Sequence, residues 1–175
     1  AQVEEALRED TVLVSMMLVN NEVGSILPVA EVSRLLKRKK SAALLHCDAV
    51  QGFLKVDFTP AKRGVDFMAI SAHKVHAPKG IGAMYVRKGI KLPPMILGGG
   101  QESGLRSGTE ATAQMAAFAV AAREGKAHLK EHLEHMAQIN AYARAELTEK
   151  VPGLELLTEG GAPHILPVSL VGYKS

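Results

Sequence analysis

Short apolar runs alternate with polar segments along the first half of the chain. They have the length of strands and end at turn residues or charges; they cover residues 12–19, 42–47, 67–70 and 81–86. The first run is continuous enough to predict a strand that is buried on both faces. Two further strand-like runs, 154–157 and 165–171, follow the turn at Pro152-Gly153. The pattern therefore predicts four strands in the first half of the chain and two near its end.

Helical periodicity occurs between the first two strands and again in the second half. Pro28 is well placed at a helix start, and apolar residues recur at 29, 32, 35 and 36, up to the basic run at 37–40. A second helix is predicted from 109 to about 123, and an apolar stripe continues from Leu129 to Leu147. Strands that alternate with helices favour an α/β fold with a mainly parallel sheet.

The pattern divides the chain near residue 124. We expect residues 1–124 to form part of a large domain and residues 125–175 to begin a small α+β C-terminal domain. The chain starts at Ala1 without a methionine, and it stops soon after a strand-like run, which would leave a sheet unfinished. We therefore expect the central fragment of a longer polypeptide, truncated at both ends.

Composition and charge are those of an ordinary soluble protein. Of 175 residues, 47% are hydrophobic and 22% are charged, and the net charge is +3. The one basic run, at 37–40, lies at a helix end and is typical of a solvated face, so nucleic-acid binding is not expected. The single cysteine excludes an intrachain disulfide and favours a reducing, cytoplasmic setting. No apolar run is long enough to cross a membrane.

The segment Ser71-Ala72-His73-Lys74 directly follows the third strand. Open α/β sheets bind ligands outside the carboxyl ends of their strands, so these residues lie where a ligand is expected. A lysine after a buried strand is partly desolvated, which favours a nucleophilic amine, and the adjacent hydroxyl and imidazole can bind a phosphate. Taken alone, the segment is more typical of a surface lysine after a strand than of a reactive one.

A second polar segment, Asp48-Ala49-Val50-Gln51, follows the second strand. Its carboxylate can face the same crevice as Lys74, and pyridoxal phosphate needs a carboxylate beside its pyridine nitrogen, because a protonated ring is the better electron sink. Gln51 can donate to the ring hydroxyl if the segment turns helically. The alternative role of Asp48 is to cap a helix, and the two roles are compatible.

Five short motifs lie at or near the ends of these predicted strands and in a glycine-rich loop at residues 98–109. They are Val19-Asn20-Asn21-Glu22-Val23-Gly24, His46-Cys47-Asp48-Ala49-Val50-Gln51, Ser71-Ala72-His73-Lys74, Gly98-Gly99-Gly100-Gln101-Glu102 and Arg106-Ser107-Gly108-Thr109. Their order and approximate spacing resemble those of the cysteine desulfurases of iron-sulfur cluster assembly and nitrogen fixation, within the class V aminotransferase superfamily. Each motif is weak alone, but five in order are highly specific, and the resemblance spans nearly the whole chain.

The resemblance implies a fold-type I transferase that depends on pyridoxal 5'-phosphate, with helices on both faces of a mainly parallel sheet. It implies that Lys74 is the catalytic residue, which forms the Schiff base with the cofactor and later moves protons on the substrate. By the same resemblance, Asp48 pairs with the pyridinium nitrogen and Gln51 bonds the ring hydroxyl.

The resemblance also implies the remaining contacts. Ser71 and His73 would bind the phosphate, and Asn21 would lie near the ring hydroxyl and the substrate carboxylate. Thr109 would reach the phosphate of a neighbouring subunit, which implies a homodimer with shared sites.

The implied reaction releases sulfur from L-cysteine, giving L-alanine and a persulfide on an enzyme cysteine, which passes the sulfur to acceptor or scaffold proteins. Cys47 is not expected to be that thiol, because it lies within a strand-like run where an inert, buried cysteine is typical. The family's catalytic cysteine loop and its later substrate-binding arginine are absent, as are the N-terminal phosphate-binding turn and the ring-stacking histidine. The isolated chain is therefore expected to be inactive.

Two other interpretations stay open from the sequence. A selenocysteine lyase or another class V aminotransferase-like enzyme would share these motifs, and a non-catalytic fragment or scaffold would keep the fold alone. His128, His132 and His135 share one helical face, but without a nearby carboxylate a solvated surface is the preferred interpretation, so no metal site is expected.

Overall fold

The computed structural model of the chain describes residues 1–173. Its main sheet has four strands in the order of the sequence: β1 (Leu13–Met17), β2 (Leu44–Asp48), β3 (Phe67–Ser71) and β4 (Gly82–Val86). The first three strands are parallel, and β4 is antiparallel to β3. The predicted α/β class with a mainly parallel sheet is thus confirmed.

Five α-helices are present within residues 1–173: α1 (Gln2–Ala6), α2 (Val29–Arg38), α3 (Pro60–Arg63), α4 (Thr112–Ala127) and α5 (Leu129–Lys150). Short 3-10 turns cover residues 72–75 and 102–104, and β5 (Leu154–Leu156) pairs antiparallel with β6 (Val168–Leu170). α3, which the sequence pattern did not predict, is a single turn with a proline at its start and Gly64 in the left-handed conformation (φ 69°) at its end. No helix in the described part of the chain is long and apolar enough to span a membrane.

α2 packs against one face of the main sheet. Its buried residues Val29, Val32 and Leu36 join Leu45 and Cys47 of β2 in a single core. The helix residues recur at three- and four-residue spacing, which places them on one stripe. Because side chains alternate along a strand, the neighbours of Leu45 and Cys47 point to the opposite face.

That opposite face of the sheet is partly exposed, and we call it the open face. Ser15 pairs in register with His46, and His46 with Phe67, so these residues share it. On the same face Leu13 is 49% exposed and Met84 is 54% exposed. The expectation that β1 is buried on both faces is therefore wrong, because the described helices contribute their apolar side chains to the other face. Helices on both faces stay a prediction.

The C-terminal part folds back onto the loop that follows β1. The amide of Ala162 donates a hydrogen bond to the carbonyl of Gly24 (2.8 Å), and the side chain of Asn140 on α5 donates to the carbonyl of Ile165 (3.2 Å). β6 begins only at Val168, later than predicted, because Pro167 has no N–H and the residues before it pack on the loop. α4 and α5 meet at His128, near the predicted boundary at 124, and the division into two domains stays a prediction.

Candidate active site

Lys74 lies in the 3-10 turn that begins where β3 ends. Ala72 and Val75, on either side of it, are buried and anchor the turn in a small apolar cluster with Phe118 of α4. The amide of Ala72 also donates to the carbonyl of Ile81 (3.1 Å), at the start of the return to β4. The turn is therefore held on both sides, and Lys74 is left half-buried between its anchors.

The hydroxyl of Ser71 and Nδ1 of His73 are hydrogen-bonded to each other at 2.8 Å in the same turn. His73 is exposed and Ser71 is half-buried. A hydroxyl and an imidazole held together beside an amine can donate to a phosphate. The turn thus brings together the three functional groups that the sequence predicts there.

Asp48 ends the neighbouring strand, β2. It pairs in register with Ala69 of β3, two residues before Ser71, so the carboxylate and the Lys74 turn lie at the carboxyl ends of adjacent parallel strands. Its Oδ1 accepts a hydrogen bond from the amide of Val50 (2.9 Å), which fixes the carboxylate and turns the chain toward the half-buried Gln51. Asp48 therefore has the turn-capping role as well as the position expected of a cofactor ligand.

The loop after β1 lies beside Asp48, because the amide of Leu18 donates to the carbonyl of Asp48 (2.7 Å). The side chain of Asn20 holds this loop by accepting hydrogen bonds from the amides of Glu22 and Val23, both at 2.9 Å. Asn21, the predicted substrate ligand, is exposed. The two asparagines thus differ: Asn20 shapes the loop, and Asn21 is presented by it.

No hydrogen bond joins the side chain of Thr109 to these residues in the described part of the chain. It follows a loop that is closed by its own hydrogen bonds, with Oε1 of Gln101 accepting from the amide of Gly108 (3.0 Å) and the carbonyl of Ile96 accepting from the amide of Ser107 (3.2 Å). Thr109 itself is exposed. Six of the seven predicted residues thus follow three strand ends, and we call them the strand-end group: Asn21, Asp48, Gln51, Ser71, His73 and Lys74. Thr109 lies on a separate loop.

The strand-end group fits a flat, phosphorylated aromatic cofactor. Within residues 1–173 Asp48 forms no ion pair, so its half-buried carboxylate is not neutralised by a protein cation. A protonated pyridine nitrogen is a suitable counterion for such a group. An amine and two phosphate donors on the next strand complete the set of groups that pyridoxal phosphate requires.

Cys47 precedes Asp48 on β2, but the Cys47 side chain is buried, whereas Asp48 is half-buried. Burial in the core, with a smaller contribution from the charge of Asp48, raises the pKa of Cys47 to about 12. The thiolate is the reactive form of cysteine, and it is essentially absent at neutral pH at this position. The predicted burial of Cys47 is confirmed, and its inertness stays a prediction.

His164 is a neighbour of this site that the sequence pattern does not predict. Both ring nitrogens are buried without a hydrogen-bond partner among the described residues, although the backbone of Gln51 lies near. Burial, and then the charge of Lys55, lowers the pKa of this imidazole. No local signal marks the residue, since only the fold brings position 164 next to position 51.

The comparisons with known proteins agree on one family. The family model for aminotransferase class-V matches residues 1–175. The chain is 45% identical over 141 residues to a probable mitochondrial cysteine desulfurase of Schizosaccharomyces pombe, covering 79% of this chain and 28% of that protein. It superimposes on a NifS-like protein with a TM-score of 0.91 at 42% identity, over 97% of this chain and 46% of that structure.

A further similar structure is that of SspA in complex with cysteine. It matches with a TM-score of 0.66 at 41% identity, over 70% of this chain and 35% of its own. The chain thus spans less than half the length of each of these three relatives.

Proposed function

Since the chain belongs to the aminotransferase class-V family, we propose that it is the cofactor-binding part of a pyridoxal-phosphate-dependent cysteine desulfurase. The proposed reaction takes sulfur from L-cysteine and gives L-alanine and an enzyme persulfide. The observation that carries the proposal is the alignment of Asp48 with the Lys74 turn at the carboxyl ends of two paired strands. The names of the relatives, and the cysteine bound to SspA, support L-cysteine as the substrate.

Each residue of the strand-end group has a defined role in this proposal. Lys74 would bind the cofactor covalently through Nζ, Asp48 would keep the pyridine nitrogen protonated, and Gln51 would donate to the ring hydroxyl. Ser71 and His73 would hold the phosphate through the hydroxyl and imidazole that already meet at 2.8 Å. When bound, pyridoxal phosphate supplies an electron sink for the bonds at the substrate α-carbon.

The chain's own residues also orient the substrate. Asn21, exposed on the loop that Asn20 holds, would bind the substrate carboxylate. The amine of Lys74 is the group that can move protons to and from the substrate carbon, because it is fixed at the strand end by buried neighbours. The thiol that accepts the sulfur would come from outside residues 1–175, since Cys47 is buried and protonated.

The loop that carries Thr109 supports a homodimer. The residues just before this loop include strongly exposed apolar side chains, with Met95 97% exposed and Leu97 80% exposed. A second subunit would cover these residues and receive Thr109 as a ligand of its phosphate.

Sulfur-acceptor or scaffold proteins of cluster assembly are the further proposed partners. A cytoplasmic location accords with the single reduced cysteine, and the mitochondrial name of one relative gives the alternative.

The test is covalent trapping of the cofactor in the complete parent enzyme. Pyridoxal phosphate is added, the protein is reduced with borohydride, and the modified lysine is located by mass spectrometry. We expect the adduct on Lys74 and its loss in Lys74→Ala. Lys79→Ala, which removes an exposed lysine from the same connection, should keep the adduct. An adduct on any other lysine would exclude the proposed role of Lys74.

A further inference from the structure

A cavity of about 740 Å³ lies between the residues that follow Lys74 and the junction of α4 with α5. Four of the chain's seven histidines line it: His76, His128, His132 and His135. Glu124, in the last turn of α4, is also part of its lining, and the rest of the wall is mostly apolar. The cavity is separate from the strand-end group, because neither Asp48 nor Lys74 contributes to it.

His128 and His132 are arranged as a pair across the first turn of α5. The amide of His132 donates to the carbonyl of His128 (2.9 Å), so the two residues are one helical turn apart on the same face. Their ring centres are 5.9 Å apart, and the ring planes differ by 31°. Two imidazoles on one tetrahedral metal ion place their ring centres roughly 5 Å apart, so a small side-chain rotation suffices to chelate an ion.

A carboxylate supports the first of these imidazoles. Oε2 of Glu131 lies 3.4 Å from Nδ1 of His128, a long contact that favours a proton on Nδ1 and leaves Nε2 free as a ligand. The three histidines of this helical face alone predict no metal site, because their pattern shows no supporting carboxylate. The helical geometry supplies it, because Glu131 lies one turn from His128 on the same side of α5.

We propose that His128 and His132 bind a divalent transition-metal ion at the mouth of this cavity. Imidazole nitrogens select Zn²⁺, Cu²⁺ and Ni²⁺, and histidines at positions i and i+4 are a known metal-binding pair on helices. Within residues 1–173 no group of three or more side chains is arranged around a common metal position. The site therefore has two protein ligands and leaves the other coordination positions to water or to a small ligand in the cavity.

The position of the pair has a structural consequence. His128 lies at the junction itself, between the end of α4 and the start of α5, whereas His132 belongs to α5. Both imidazoles reach one ion only while this turn is helical. Metal binding should therefore stabilise the junction, and it requires both imidazoles to be deprotonated.

The test is titration of the metal-free, untagged chain with ZnCl₂ and, separately, CuCl₂, followed by calorimetry. We expect one ion per chain and an affinity that falls at least about tenfold in His128→Gln and in His132→Gln, since each leaves a single imidazole. Glu131→Gln should weaken binding by about tenfold through the supporting carboxylate. His46→Gln, on the open face of the sheet, is the matched control and should bind as the parent chain does.

The alternatives give different results. If His46→Gln loses as much affinity as His132→Gln, the ions bind non-specifically and the proposal is wrong. If His135→Gln abolishes binding while His128→Gln does not, the pair is His132 with His135, which also contradicts the proposal. Helical circular dichroism of each variant shows whether α5 is intact, and pyridoxal phosphate binding is not part of the readout.

Discussion

At the scale of single residues, the site depends on where each of two neighbouring side chains points. Cys47 and Asp48 are neighbours on one strand, yet Cys47 points into the core, whereas Asp48 is turned by its own hydrogen bond toward the strand end. Similarly, Asn20 is used to hold its loop, and Asn21 is free to bind a ligand. The sequence predicts the active members of both pairs by resemblance, and the contacts explain why the neighbours differ.

His164 gives a pH prediction. Because burial lowers its pKa in the folded chain, the unfolded chain binds a proton more readily once the pH falls below the ordinary histidine value of 6.5. The free energy of unfolding should therefore fall between pH 7.5 and pH 5.5, with a slope of at most about 1.4 kcal/mol per pH unit for one proton. Above pH 7.5 this group should contribute no pH dependence.

Urea denaturation at the two pH values measures this effect. His164→Asn should reduce the pH dependence, whereas His135→Gln, which removes an exposed histidine of α5, should leave it as in the parent chain. The same slope in His164→Asn and in the parent would show that another group is responsible. The measurement is made with chelator present, so that bound metal does not contribute.

At the scale of elements, the connection from β5 to β6 matters because it joins the C-terminal part to the loop that presents Asn21. Gly161 is the tightest point of this contact. Its φ is +143°, and a Cβ there would lie 2.6 Å from the carbonyl oxygen of Gly24. A side chain at this position must displace backbone, so the contact can form only with glycine.

Gly161→Ala should therefore lower the free energy of unfolding by about 1–3 kcal/mol. Gly160→Ala is the control, because a Cβ at that adjacent glycine meets no atom within 4 Å. Thermal or urea unfolding compares the two, and hydrogen exchange at the amide of Ala162 reports the contact directly. Equal stability of the two variants would mean that the segment is not seated on Gly24 as described.

The elements also show what a sequence pattern can predict. The four strands of the main sheet and the long helices follow from apolar runs and helical spacing, since those patterns are local. The antiparallel direction of β4, the single turn of α3 and the late start of β6 depend on which segments meet in space. The proximity of His164 to Gln51 is of the same kind, because 113 residues of sequence separation carry no local signal.

At the scale of the whole molecule, the open face of the main sheet is the largest departure from prediction, because the sequence pattern predicts a β1 that is buried on both faces. Apolar side chains such as Leu13 and Met84 are half exposed there, on a sheet whose other face packs in the core. An exposed apolar sheet face promotes association of chains. The isolated chain should therefore self-associate with rising concentration and bind an environment-sensitive apolar dye.

The double variant Leu13→Lys with Met84→Lys should reduce both effects, because it places two charges on the open face. The control carries the same charge change on exposed positions of α5, as Ala141→Lys with Thr148→Lys. Analytical ultracentrifugation and dye fluorescence provide the measurements. If the control reduces association as much as the double variant does, net charge and not the open face is the cause.

The pairing of β2 with β3 has one more consequence. Asp48 and the Lys74 turn are aligned by the register of Asp48 with Ala69, a pairing that does not include residues 57–64. That part of the connection between the two strands can therefore gain or lose residues, as surface loops do, while the carboxylate and the amine keep their separation in space. A search for further chains with this site should accordingly fix the strand ends and let the distance along the sequence vary.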